Sequence, residues 1–384
     1  MDPTLDPLLK QQLDALTAAS RLRGLRPLQW RDGKLHSVAG RPLIDASSND
    51  YLGLSQHPLV KGRAVEWAAR HGAGAPASRL VTGTREITLA VEEKLAAFKG
   101  SEAALLINTG FQANATVIPT LAQVGAGETV IFSDELNHAS IIHGARAAKC
   151  ATAIFQHNDL DHLDQLLRRH SGRKLILTES VFSMDGDRAD LPGLLQLAER
   201  HGAALYVDEA HASGALGPQG RGLAAECGGV DIVMGTLGKA FGAFGAYIAG
   251  SRALIDYLVN RCTGFIYTTS LPPAVLGAVD AALDLIPTMD QDRRRLATNA
   301  QRLRDALATA GLATLHSTTQ IVPAIIGSES DALAAARQLE DAGILAVAIR
   351  PPTVAAGTSR LRFALSSSLD DEDMDCLIGE IARL

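Results

Sequence analysis

Short apolar runs that do not alternate with polar residues, each followed by an amphipathic stretch, constrain this chain more than any other feature. Residues 175–179 read LILTE and residues 204–208 read ALYVD. A strand that is apolar on both faces needs cover on both, which parallel sheets obtain from their helical crossovers. The patterns EITLAVEEKLAAF, HLDQLLRRH and LPGLLQLAERHG supply such helices. Strands are predicted at 104–108, 129–133, 152–156, 174–179, 204–208, 231–235 and 244–249. The fold class is therefore α/β with a mostly parallel central sheet.

The ends of the chain read differently. Residues 1–45 form an N-terminal helix (about 6–22), irregular chain and a short hairpin. Residues 46–285 form the large domain. After Leu271-Pro272-Pro273 come long helices rich in Ala, Leu and Arg, reaching about residue 312. Three short strands (320–326, 345–349, 360–366) and two helices complete a smaller C-terminal α/β domain, 286–384.

Charge and cysteine usage exclude several functions. The net charge of −6 argues against nucleic acid, whose binding draws on Lys and Arg at phosphates. The four cysteines (150, 227, 262, 376) form no CxxC or zinc spacing, which fits a reducing, cytoplasmic setting. No apolar run reaches the roughly 18–20 residues needed to span a bilayer. His138/His143 and His157/His162 are each five apart, off one helical face, and no acidic ligand motif accompanies them, so no metal is expected.

Chemistry-bearing residues gather at predicted strand ends, the edge where open α/β sheets bind ligands. Asp208 leaves the strand ALYVD, with His211 three residues on. A buried Asp is costly unless it meets a positive partner or donors, and a pyridinium nitrogen is one such partner. The bland alternative is an Asp that caps a turn. VDEAH also contains the helicase spelling DEAH, but that reading needs a Walker A sequence and none is present.

Lys239 sits in Gly235-Thr236-Leu237-Gly238-Lys239-Ala240-Phe241-Gly242, directly after a strand. A lysine is usually solvated surface, but one between glycines at a strand end is positioned for close ligand approach. A P-loop fails here, because Ala follows Lys239 and Val233 holds the required glycine position. Asn108-Thr109-Gly110-Phe111-Gln112 opens a helix whose backbone N–H groups would take a phosphate, though an ordinary turn reads the same way. Asn137-His138-Ala139-Ser140 places an imidazole where it would stack on a planar ring. Gly72-Ala73-Gly74-Ala75-Pro76-Ala77 imitates a dinucleotide fingerprint without its strand–turn–helix context, which disfavours hydride transfer.

Together these residues resemble the α-oxoamine synthases, a branch of the fold-type I pyridoxal-phosphate (PLP) enzymes. The likeness runs from about Arg23 to the C-terminus. It is carried by SSNDYLGL (47–54), ASRLVTGT (77–84), NTGFQAN (108–114), DELNHAS (134–140), ESVFSMDGD (179–187), VDEAH (207–211) and GTLGKAFG (235–242). The segment AIRPPTVAAGTSRLR (348–362) is most similar to members that condense L-alanine with a pimeloyl thioester of CoA or of a carrier protein. It departs from them at Ala355, where proline is common. The alternative is a member that uses glycine and acetyl-CoA, 2-amino-3-ketobutyrate CoA ligase.

The resemblance implies roles. Lys239 would hold the cofactor pyridoxal 5'-phosphate and act as acid and base. Asp208 would pair with its ring nitrogen, His211 with its ring oxygen, and His138 would stack on the ring. Gly110, Phe111, Ser183 and Thr236 would supply polar contacts, including the phosphate cradle. Asn49 and Arg362 would orient the amino acid's carboxylate. Arg23 and Thr353 would contact the acyl substrate, with Arg21 and Arg26 open as alternatives to Arg23. Relatives are homodimers with a shared site, so Thr268 and Thr269 would reach the phosphate of the neighbouring chain.

Overall fold

The computed structural model describes residues 5–31, 33–125 and 127–384. Among them, three short strands come first: β1 (Leu28–Arg31), β2 (Lys34–Ser37) and β3 (Pro42–Asp45). Seven follow: β4 (Ala103–Ile107), β5 (Thr129–Asp134), β6 (Ala151–Phe155), β7 (Arg173–Glu179), β8 (Ala203–Asp208), β9 (Ile232–Thr236) and β10 (Ala246–Gly250). The last are β11 (Ile321–Gly327), β12 (Ile344–Leu345), β13 (Val347–Ile349) and β14 (Ser359–Ala364). The chain divides into two compact units. The larger holds Asn49–Ser183 and Asp187–Arg295. The smaller holds the chain up to Ser48, Met184–Gly186 and Leu296–Leu384.

The larger unit is built on one seven-stranded sheet in the order β4-β10-β9-β8-β7-β5-β6. Pairs β5/β6, β5/β7, β7/β8 and β8/β9 are parallel, and β10 runs antiparallel to both its neighbours. The expected α/β class with a mostly parallel sheet is what is found. Strands β4 and β5 are buried along their whole length and β8 over its last four residues, as strands covered on both faces are. On one face Val117, Ile118, Ile141, Leu258 and Phe265 pack against Ile131, Leu177, Tyr206 and Ile248. Burying each such aliphatic side chain contributes about 1.5–3 kcal/mol. That core fixes the strands, so residues at their C-terminal ends share one edge: Asp134, Glu179, Asp208 and Thr236 each end a strand there.

In the smaller unit β1 and β2 form the expected hairpin, β3 pairs with β2, and β12 joins β3 in parallel. A second sheet has the order β11-β14-β13. The N-terminal helix, expected to reach about residue 22, spans Asp6–Ala18. It stops because Ser20 takes a φ of 54° and the Arg21 and Leu22 N–H groups turn back to the Leu16 carbonyl. The single strand expected at 345–349 is two. Residues 344–345 pair with β3 and residues 347–349 with β14, so the chain changes sheets at buried Ala346.

Candidate active site

Asp208 and Lys239 leave neighbouring parallel strands, β8 and β9, at the same edge. Asp208 is buried. Its Oδ2 accepts from Asn114 Nδ2 at 2.8 Å and its Oδ1 from the Ala210 N–H at 2.8 Å. Its carboxyl pKa is raised, because burial pushes it up further than the nearby Lys239 charge and these donors pull it down. An acid in that balance stays ionised most readily against a second cation.

Lys239 Nζ lies 2.7 Å from His211 Nε2, and His211 Nδ1 lies 2.6 Å from the Tyr51 hydroxyl. Tyr51 in turn donates to Asn49 Oδ1 at 3.1 Å. One arrangement of protons uses each donor once. The lysine donates to Nε2 of neutral His211, Nδ1–H donates to the Tyr51 oxygen, and the Tyr51 O–H donates to Asn49. Four residues from three segments thus form a directional chain that runs from the Lys239 amine to Asn49.

Asn114 stands four residues into the helix Gly110–Ala122, facing the sheet. It accepts from Tyr206 Oη (2.7 Å) and donates to Ser140 Oγ (2.9 Å) as well as to Asp208. Ser140 bonds His138 Nδ1 through its N–H (3.2 Å), with its hydroxyl 2.7 Å away, so Nδ1 is the acceptor and Nε2 carries the proton. Burial lowers the His138 pKa. Lys239 lowers it further and Asp208 opposes, so the ring is neutral. The His138 N–H donates to Glu179 Oε1 at 2.6 Å.

Thr236, at the end of β9, has a buried hydroxyl with no hydrogen-bond partner among the described residues. Gly110 faces it, and a Cβ there would lie 2.5 Å from Thr236 Cγ2. Beside them lies the start of the helix Gly110–Ala122, whose first N–H groups lack intrahelical partners and where Thr109 Oγ1 accepts from the Gln112 N–H. An orphaned hydroxyl and a helix N-terminus behind a glycine fit a phosphate group. Phe111 is exposed, its ring tilted against His143 with centroids 5.6 Å apart. Ser183 is half-buried in the loop after β7. Thr268 Oγ1 donates to the Gly264 carbonyl and accepts from Gln112 Nε2 at 2.7 Å. The carbonyl of exposed Thr269 accepts from Asn108 Nδ2 at 2.8 Å. Both threonines therefore adjoin the segment that opens this helix in their own chain.

Three expected substrate residues belong to the smaller unit. Arg21 is paired with Glu329 at 2.7 Å, and Arg26 is paired with Glu340. Among the described residues Arg23 makes no ion pair, and its guanidinium donates to Thr353 Oγ1 at 3.3 Å. Arg362 lies on β14, buried, opposite Pro323 and Val347.

Residues 41–381 match the family model for aminotransferase class I and II. The 8-amino-7-oxononanoate synthase of Gluconacetobacter diazotrophicus is 54% identical over 98% of this chain and 96% of its own. The chain belongs to the 8-amino-7-oxononanoate synthase family. Solved structures agree with that membership. A serine palmitoyltransferase from S. paucimobilis superposes with a TM-score of 0.91 at 29% identity, covering 99% of this chain and 98% of that one. The Francisella tularensis 8-amino-7-oxononanoate synthase gives 0.75 at 27% identity, with 89% and 97% covered. Tyr51, Asn114 and Glu179 stand in motifs that carry the resemblance, yet the sequence assigned them no role. An Asn among the apolar positions of the helix is the signal that could have found Asn114.

Proposed function

We propose that this chain condenses L-alanine with a pimeloyl thioester, releasing CO2 and the thiol and forming 8-amino-7-oxononanoate in biotin biosynthesis. The observation that carries this reading is the pairing of Lys239 with His211 at 2.7 Å beside buried Asp208, in a chain 54% identical to a synthase of that name. Bound PLP supplies an electron sink that draws charge from the alanine Cα.

The chain's own residues do the rest. Asp208 holds a proton on the ring nitrogen by presenting a buried carboxylate to it. Asn114 and the Ala210 N–H keep that carboxylate ionised and aimed. Lys239, its amine uncharged and beside His211, takes the proton from the alanine Cα and returns one to the product carbon after CO2 leaves. Neutral His138 offers its face to the ring and its Nε2–H to the substrate. Thr236, Ser183, Phe111 and Gly110 hold the phosphate side. Asn49 and Arg362 are proposed for the alanine carboxylate, Arg23 and Thr353 for the acyl chain.

The working form is proposed to be a cytoplasmic homodimer with a shared site, Thr268 and Thr269 serving the partner's phosphate. Among the described residues no helix is long and apolar enough to cross a membrane. The acyl donor is pimeloyl-CoA or a pimeloyl carrier protein.

Turnover of four pairs tests the assignment: alanine with pimeloyl-CoA, alanine with a pimeloyl carrier protein, glycine with acetyl-CoA, and serine with palmitoyl-CoA. Product should form with at least one pimeloyl donor and alanine. Turnover confined to glycine or serine would overturn the reading.

A further inference from the structure

His157 follows β6 and takes no part in the site described above. Its Nδ1 lies 2.9 Å from Asp134 Oδ1 and its Nε2 lies 2.7 Å from Asp187 Oδ2. Carboxylate oxygens accept and do not donate, so both ring nitrogens carry protons and the ring is an imidazolium held between two acids. Burial alone would lower its pKa, but hydrogen bonds and charge from Asp134 and Asp187 raise it to about 10. The ring also stands edge-on to Phe182, with centroids 4.3 Å apart.

Each acid shapes a turn. Asp134 ends β5. Its Oδ1 accepts from the Leu136 N–H (2.9 Å) and its carbonyl from the Asn137 N–H (3.2 Å), and His138 comes next. Asp187 closes the loop that begins at Val181. Its carbonyl accepts from the Phe182 N–H at 3.1 Å, and Val181 bridges to Arg188. Ser183 lies inside that loop. Asn158 reinforces both, its N–H donating to Asp134 Oδ2 (3.1 Å) and its Nδ2 to Asp187 Oδ2 (3.0 Å). Asp134 and Asp187 are both buried.

We infer that His157 is a positioning residue that ties the turn presenting His138 to the loop presenting Ser183, fixing the separation of two cofactor contacts from different strands. This rests on the PLP reading above. The bond from each carboxylate to the same ring leaves neither turn free to shift alone, whereas a plain surface ion pair would join side chains without building a turn.

The test uses the full chain carrying His157→Asn or Asp187→Asn, each stripped of PLP and titrated with it again. PLP affinity and the induced visible circular dichroism are read without substrate. Near-UV circular dichroism and Tm report the fold. Both variants should bind PLP more weakly, on the order of tenfold for His157→Asn, with an altered visible signal and a native near-UV spectrum. Asp187→Asn keeps the side-chain shape, so it carries the test if His157→Asn fails to fold. Folded variants with wild-type affinity and visible signal would overturn the positioning role alone. A wild-type chain that takes up no PLP would overturn the cofactor reading and this inference with it.

Discussion

Glu179 and Asp208 stand directly opposite each other on the paired strands β7 and β8, both buried at one sheet edge. Two like charges so close are costly, and burial together with Asp208 pushes the Glu179 pKa well above the usual carboxylate range. Asp208 is raised too, but less, because Lys239, Asn114 and the Ala210 N–H favour its charged form, so Glu179 is the acid placed to keep its proton. Glu179→Gln, which mimics a protonated carboxyl, should retain kcat/KM within a few-fold. Glu179→Ala leaves the His138 N–H unpaired and should lower it by about tenfold. Steady-state kinetics on the two variants checks the order.

The proton chain to Lys239 depends on Tyr51, which is fully buried between His211 and Asn49. Tyr51→Phe keeps the ring and removes the link. The expected loss is about tenfold in kcat, from a hydrogen bond worth about 1.5 kcal/mol. PLP affinity should stay near wild type, and equal losses in both would contradict a role in proton handling.

Gly110 has no room for a side chain, since a Cβ would press on Thr236 Cγ2 at 2.5 Å. Gly110→Ala should weaken PLP binding, on the order of tenfold or more, while leaving the melting temperature of the PLP-free chain within a few degrees. A titration of the stripped protein with PLP, paired with thermal melts, reads both.

His157 also links stability to pH. Its folded pKa of about 10 lies above the ordinary value of 6.5. Raised folded values stabilise the form that binds the extra proton. Its contribution is therefore fully present below about pH 6.5 and is lost as pH rises through about 10. The Tm of the wild type should fall between pH 7 and 10 by several degrees more than that of His157→Asn. Parallel pH–Tm curves for the two proteins would contradict the clamp.

Much of the frame was legible because parallel strands buried on both faces betray themselves as apolar runs. Once ALYVD and DIVM are read as strands, Asp208 and Lys239 must emerge at one edge. Side chains that act through partners were not legible. Tyr51 meets His211 across 160 residues and Asn114 meets Asp208 across 94, and no local spacing encodes either contact. His157 reads as half of an unpromising histidine pair until the fold brings Asp134 and Asp187 to opposite sides of its ring. The single strand expected at 345–349 failed for a related reason. Its apolar pattern is continuous, and only the partners available to it divide it between two sheets.

The central claim is that Lys239 and Asp208 bracket one PLP ring, and borohydride reduction followed by peptide mass spectrometry tests it most directly. The account predicts a pyridoxyl adduct on the peptide containing Lys239, absent from Lys239→Ala. An adduct on another lysine, or none in a folded chain supplied with PLP, would contradict it.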